Sequence, residues 1–179
     1  MQQRSRNTKT GRSRSCLRRT GFSLLELMIV VAIIAILAMI ALPSFQGRIL
    51  RDQTSEALAL TDFVKQRVAI HYATTKAFPA DNAAADLPPA DRIVNKVVSA
   101  VTVRDGAITL TFGNQAHRAL AGKRLSLRPA FVPDFPQVPI SWICGGGPVP
   151  EKMKLNGSDE TSVETANLPI ACRSPAVPK

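Results

Sequence analysis

Between positions 27 and 42 no polar side chain interrupts the chain. At 1.5 Å per residue that run makes about 24 Å of helix, and the turn from Phe22 to Glu26 lengthens it enough to cross a bilayer. Residues 22–42 therefore read as a transmembrane helix. A second pattern follows it. Ala57, Leu60, Val64, Val68 and Tyr72 recur at three- and four-residue spacing, which predicts an amphipathic continuation over 44–73. From Gln46 to Glu56 the pattern is mostly polar, with Ile49 and Leu50 the only large apolar residues. Pro43 stands between the two stretches. It cannot donate to the carbonyl of Met39 and its ring crowds that turn, so a kink or local melting is expected there.

Past the helix the period changes. Pro79 and the Ala/Asp/Pro-rich run to Pro89 mark a connecting loop over 74–97. Val101 and Val103 then alternate with Thr102 and Arg104. Asp105-Gly106 supplies a hairpin turn, and Ile108, Leu110 and Phe112 alternate with Thr109 and Thr111. Leu125 and Leu127 suggest a third strand, Ile140 and Trp142 a fourth. Their one-sided apolar pattern predicts an antiparallel sheet over 98–143, packed on the helix and wet on its other face. Residues 144–179 are rich in Gly, Pro, Asn and Ser and read as loop and tail. The expected class is α+β: a long N-terminal helix on a four-stranded antiparallel sheet.

The formal charge of +10 changes meaning once it is placed along the chain. Seven of the 23 basic residues lie in residues 1–21, where there is no acid; the remainder holds 16 basic against 13 acidic side chains. The excess is a topogenic flank. It keeps the start of the chain cytoplasmic and sends everything after Leu42 outside. The cysteines are Cys16, Cys144 and Cys172. Loss of the basic segment would take Cys16 with it and leave one pair, which would be bridged if residues 22–179 reach an oxidising compartment.

Glu26 is the most informative residue. A charged side chain in hydrocarbon costs about 2.5–3.5 kcal/mol on insertion scales. Glu26 either sits near the membrane surface and snorkels, or meets a cation. A cut between Gly21 and Phe22 would make that cation, a new α-amine at the head of an apolar helix. An array of such helices offset by about one turn would place each amine beside a neighbour's carboxylate. Other readings of the helix fit less well. A secretory or twin-arginine signal needs small residues two apart after the apolar run, and residues 32–46 contain no such pair. A plain anchor gives no reason for the acid.

The stretch TGFSLLELMIVVAIIAILAMIALPSFQ closely resembles the N-terminus of type IV prepilins. The likeness continues through SEALAL at 55–60, VSAVTVRDGAITLTFG at 99–114, AGKRLSLRP at 121–129 and SWIC…LPIACR at 141–173. It favours the type IVa group. The resemblance implies a pilin fold and a basic leader, residues 1–21, removed at Gly21–Phe22 by prepilin peptidase, which also methylates the amine of Phe22. It implies that Glu26 contacts the Phe22 amine of an adjacent subunit, and that Cys144 and Cys172 close the C-terminal loop. Such a closure would contribute about 3–4 kcal/mol on the chain-entropy model. The implied partners are copies of the chain itself, the peptidase, an assembly ATPase, an inner-membrane platform protein and a secretin. The precursor is expected in the inner membrane with its C-terminal domain periplasmic, and the assembled form in an extracellular filament serving adhesion, twitching motility and DNA uptake. The leader is longer and more basic than is usual in that group, which points to translation starting downstream of Met1 or to a variant class.

Other candidates are weaker. His71 and His117 lack a second cluster of ligands, so no metal or other cofactor is expected. Gly145-Gly146-Gly147 lacks a following lysine and reads as a turn. Asn156, Asp159 and Glu160 could offer oxygen to calcium, though a solvated loop is the simpler reading. No nucleophile–base arrangement emerges, so no catalytic activity is expected. Lys123, Arg124, Arg128, Lys152 and Lys154 could meet DNA phosphate or a host surface if the chain is a minor tip pilin. A type II secretion pseudopilin is a further alternative, against which the paired cysteines argue.

Overall fold

The structure is a computed structural model that describes residues 21–173, without the side chains of residues 40–46. The basic leader, Cys16 and the last residues of the tail lie outside the described residues. The chain divides into two compact units, one ending at Ile40 and the other starting at Ala41. Helix α1, Leu24–Leu60, contributes to both, and α2 spans Asp62–Thr75. The helical backbone continues through Pro43, so that turn is not melted. The kink expected there lies outside the described side chains.

The second unit is built on a stripe of helix residues that share one core with the sheet, Leu50, Ala57, Val64 and Val68, joined by fully buried Thr54 and Thr61, with Tyr72 buried one turn on against Phe78 and Phe131. The apolar spacing alone puts Leu60 in this stripe. In the structure Thr61 takes the place and Leu60 packs beside it, half-buried. Two threonines can be buried because their hydroxyls bond backward along the helix. Thr54 donates to the carbonyl of Leu50 at 2.8 Å and Thr61 to that of Leu58 at 2.6 Å. The Thr61 bond competes with the backbone ladder, and Thr61 is the single residue that separates α1 from α2. Lys76, with φ at 59°, closes α2 in a left-handed conformation and donates from its backbone to the carbonyl of Tyr72.

Four strands follow as an antiparallel meander in spatial order β1-β2-β3-β4: β1 Val98–Arg104, β2 Ala107–Phe112, β3 Arg124–Phe131 and β4 Ser141–Cys144. Arg104 pairs with Ala107 across the expected two-residue turn, in which Asp105 and Gly106 both have positive φ, 48° and 76°. Valine 101, Val103, Ile108, Leu110, Phe112, Leu125 and Leu127 point into the core. Ile140, expected in the fourth strand, lies just before it.

The segment after Cys144 is more structured than its composition suggests. A two-residue strand β5, Lys154–Leu155, pairs with Ala130 and Phe131 at the end of β3. The connecting loop is likewise packed, burying Ala85, Leu87, Ile93 and Val97. It also caps the open edge of β1, a place where unpaired backbone groups would otherwise invite another strand. Asn82 acts as a surrogate strand there. Its Oδ1 accepts from the backbone of Val103 at 2.7 Å and its Nδ2 donates to the carbonyl of Val101 at 3.0 Å. Three residues after Val103, Gly106 donates to the carbonyl of Pro79 at 2.9 Å.

Gly106 is constrained twice, by its left-handed backbone and by Phe78, whose ring would lie 2.6 Å from an added Cβ. Phe78 cannot yield freely, being stacked on Tyr72 with centroids 4.4 Å apart and edge-on to Phe131. Gly106→Ala should therefore lower stability by about 2–4 kcal/mol, read as a fall in the denaturant midpoint of the full-length chain in detergent. A loss below about 0.5 kcal/mol would contradict this packing.

Candidate functional site

The first unit has almost no interior. Every residue from 21 to 39 is exposed, the large apolar side chains ranging from Phe22 at 84 % to Val30 at 46 %. A helix that is apolar around its full circumference has no single face to bury; it needs lipid or other helices on all sides. Covering one large apolar side chain is worth about 1.5–3 kcal/mol, so covering the thirteen here amounts to tens of kcal/mol. Among the described residues no helix is long and apolar enough to cross a membrane. The apolar sequence itself runs on to Leu42.

Glu26 lies in the first turn of α1. The backbone of Leu27 donates to the carbonyl of Ser23 at 3.1 Å, so Ser23 occupies the position just outside the helix. Ser23 and Glu26 thus have the S-x-x-E spacing of a capping box, and the partial positive charge of the helix N-terminus favours a carboxylate there. Reading Glu26 only as a charge in hydrocarbon misses this second, local reason for an acid. None of the described ion pairs involves Glu26. Gly21 has open space around it, with nothing within 4 Å of an added Cβ and no positive φ. No packing within the described residues requires a glycine there.

At the other end of the chain Cys144 and Cys172 are joined, with Cα atoms 4.6 Å apart and both side chains buried. The loop they close does more than hang from its ends. Residues 159–163 return across the sheet as a strap along the first half of β3. Ser162 donates from its backbone to the carbonyl of Arg124 at 2.9 Å, and its hydroxyl accepts from the backbone of Arg124 at the same distance. Thr161 Oγ1 accepts from the backbone of Ser126 at 3.1 Å. Ser126 is fully buried beneath this strap, its Oγ 3.1 Å from Thr109 Oγ1 and accepting from the backbone of Glu160. The sheet face opposite the helices is therefore partly covered rather than wet. Glu160 completes the attachment, taking Nη1 of Arg104 at 3.3 Å and Nη1 of Arg124 at 3.0 Å.

These contacts reassign several candidates. Glu160 places its oxygens on two arginines, Asp159 faces Arg128 through Oδ2 at 3.6 Å and accepts from the backbone of Thr161 through Oδ1 at 3.0 Å, and Asn156 Nδ2 donates to the carbonyl of Asp105. Arg124 and Arg128 are correspondingly engaged, Arg128 also donating to the carbonyl of Gly145 at 3.0 Å. His117 serves a turn. Its backbone donates to Oε1 of Gln53 on α1 and its Nδ1 accepts from Ala119. Among the described residues no three His, Cys, Asp or Glu side chains gather as metal ligands. Gly145 has a φ of 54° and is buried in the turn after β4, bonded through its backbone to Ser126. The strap residues could not be found from local pattern, since Glu160 is 56 residues from Arg104 and 36 from Arg124.

Comparison with known proteins places both ends of this arrangement. A family model described as pilin, a bacterial filament, matches residues 51–173. A second, the prokaryotic N-terminal methylation motif, matches residues 16–42. A type IV major pilin protein of Neisseria gonorrhoeae is 36 % identical over 87 % of this chain and 88 % of its own length. A fimbrial protein of Neisseria meningitidis is 33 % identical over 86 % and 93 %. The fimbrial protein EcpC of Eikenella corrodens is 35 % identical over 88 % and 93 %.

The disulfide and the strap should contribute unequally. Cys144→Ser with Cys172→Ser should cost about 3–4 kcal/mol by freeing the loop in the unfolded chain. Glu160→Gln should cost about 0.5–1 kcal/mol, because both arginines are more than half exposed and screened by solvent. Chemical denaturation of the two variants measures both, and the reverse ranking would contradict this division.

Proposed function

The chain belongs to the pilin family and is a structural subunit of a type IV pilus, and from that premise we propose how its N-terminus is made and used. The chain is synthesised with residues 1–21 as a leader and held in the inner membrane by residues 22–42, with the remainder in the periplasm. Prepilin peptidase cuts between Gly21 and Phe22 and methylates the new amine. The open surroundings of Gly21 support this reading. A glycine with no packing reason in the subunit suits an extended segment that must enter a protease.

Once cut, the amine of Phe22 is a cation at a helix N-terminus, where the dipole disfavours it. Glu26, one turn along, offsets that charge. In a lone subunit the carboxylate can serve its own amine and first turn. In the filament we assign it to the Phe22 amine of the neighbouring subunit, while the apolar circumference exchanges lipid for other helices. The observation that carries this reading is the helix exposed on every side with a single acid in its first turn. The lipid and the helix bundle are similarly apolar, so the exchange itself gives little direction. The charge pair supplies the axial offset between neighbours.

We read the chain as the major subunit, as the Neisseria gonorrhoeae relative is, and as acting without catalysis. Adhesion, twitching motility and DNA uptake would follow from the assembled filament and its ATPase, platform protein and secretin. Recognition of DNA or a host surface by a minor tip subunit is the alternative role.

Two measurements test the proposal. Mass spectrometry of sheared surface filaments should find a dominant chain that begins at N-methylated Phe22; a chain retaining Arg18-Arg19, or trimmed beyond Leu42, would contradict it. Glu26→Ala should insert into the membrane normally yet lose at least about tenfold in filament yield, the loss expected from a charge-assisted contact of about 1.5–3 kcal/mol. Full piliation of that variant would exclude the pairing.

A further inference from the structure

The sheet face opposite the helices holds a small cavity of about 120 Å³ beside the strap, lined by Thr102, Arg104, Thr109, Thr111, Arg124 and Glu160. Strand register builds it. Thr102 pairs with Thr109 and Thr109 with Ser126 in one row, and Thr111 pairs with Arg124 in the next. The result is a floor of hydroxyls between two guanidiniums. Glu160 accepts one N–H from each guanidinium. A guanidinium carries five donors, so most remain unspent by this contact, and the two side chains are 69 % and 52 % exposed. Two positive charges against one negative leave a net single positive charge at the cavity.

We propose that this cavity binds the carboxylate of an acidic saccharide, with the guanidiniums of Arg104 and Arg124 on the carboxylate and the hydroxyls of Thr102 and Thr111 on the ring hydroxyls beside it. Glu160 already demonstrates the chemistry, since both guanidiniums here take a planar carboxylate, the partner their fork geometry suits. The volume holds one such group and the edge of a ring. The charge argues in the same direction. A nucleic-acid backbone carries a charge about every 1.7 Å of duplex and needs a row of cations. This face offers a surplus of one, because the adjacent Arg128 is offset by Asp159. A single anion on a hydroxylated body matches it. Exposure and the competing Glu160 carboxylate make the contact weak, with a dissociation constant of about 1 mM.

The test is a titration of the full-length chain in detergent, followed through ¹³C-methyl resonances of threonine, with glucuronate, glucose and acetate as probes. Glucuronate should shift the Thr102 and Thr111 methyls saturably, glucose should leave them in place, and acetate should bind several-fold more weakly. Arg104→Gln should weaken glucuronate about tenfold, whereas Arg92→Gln, an exposed arginine on another segment, should not. Thr102→Val keeps both charges and guards against a general loosening of the strap; it should weaken glucuronate several-fold and leave acetate unchanged. Glucose shifts as large as those of glucuronate, acetate binding as tight as glucuronate, or unchanged affinity in Arg104→Gln would each overturn the proposal.

Discussion

A carboxylate near the head of a helix that is apolar all the way round has no comfortable place in hydrocarbon alone. The helix needs apolar surroundings on every side, and Glu26 needs a cation or water. Lipid satisfies the first demand and only the headgroup region satisfies the second. A bundle of identical helices satisfies both, provided each brings a positive charge to its N-terminus. On the proposed reading, proteolysis at Gly21–Phe22 creates that charge on every copy. The chemistry that ends the life of the precursor is, on this reading, the same chemistry that makes the subunit self-complementary.

The second unit, taken by itself, covers most of its own apolar faces and strand edges. The helix stripe from Leu50 to Val68 is consumed by the sheet core. The open edge of β1 is blunted by Asn82 and the loop around Pro79, and the opposite sheet face is partly covered by the strap at Glu160–Ser162. Unpaired strand edges and open apolar faces promote indiscriminate assembly. Here the large exposed apolar surface of the described residues is concentrated on the first half of α1. The disulfide then acts on the unfolded chain by tying Cys144 to Cys172 and so limiting its freedom, and the strap's hydrogen bonds act on the folded one.

Local pattern revealed the elements that local physics controls. The apolar run of 22–42, the alternation around Asp105-Gly106 and the cysteine pair were all legible, because each rests on hydrophobic period, turn chemistry or residue count. Three features were not. Thr61 interrupts the helix and lies in the core, although its polar side chain argues for the surface; the hydroxyl's bond to Leu58 resolves that conflict only in three dimensions. Lys154–Leu155 becomes a strand because β3 extends past β2 and leaves partners at Ala130 and Phe131, a consequence of strand lengths elsewhere. Glu160 binds Arg104 and Arg124 across dozens of residues, and nothing in its own neighbourhood announces it. The N-terminal site shows the opposite failing: the S-x-x-E spacing at Ser23–Glu26 was plain in the sequence, yet the membrane charge overshadowed it.

The most direct test of the central claim is the distance between the two charges in the assembled filament. Subunits labelled with ¹⁵N at Phe22 would be mixed with subunits labelled with ¹³C at the Glu26 carboxyl, and dipolar dephasing between the two labels measured by solid-state NMR. Mixed filaments should show dephasing that corresponds to an ion pair within about 4 Å, since only neighbouring chains can bring those labels together. Filaments that assemble fully and show none would mean that Glu26 is not held by the amine next door.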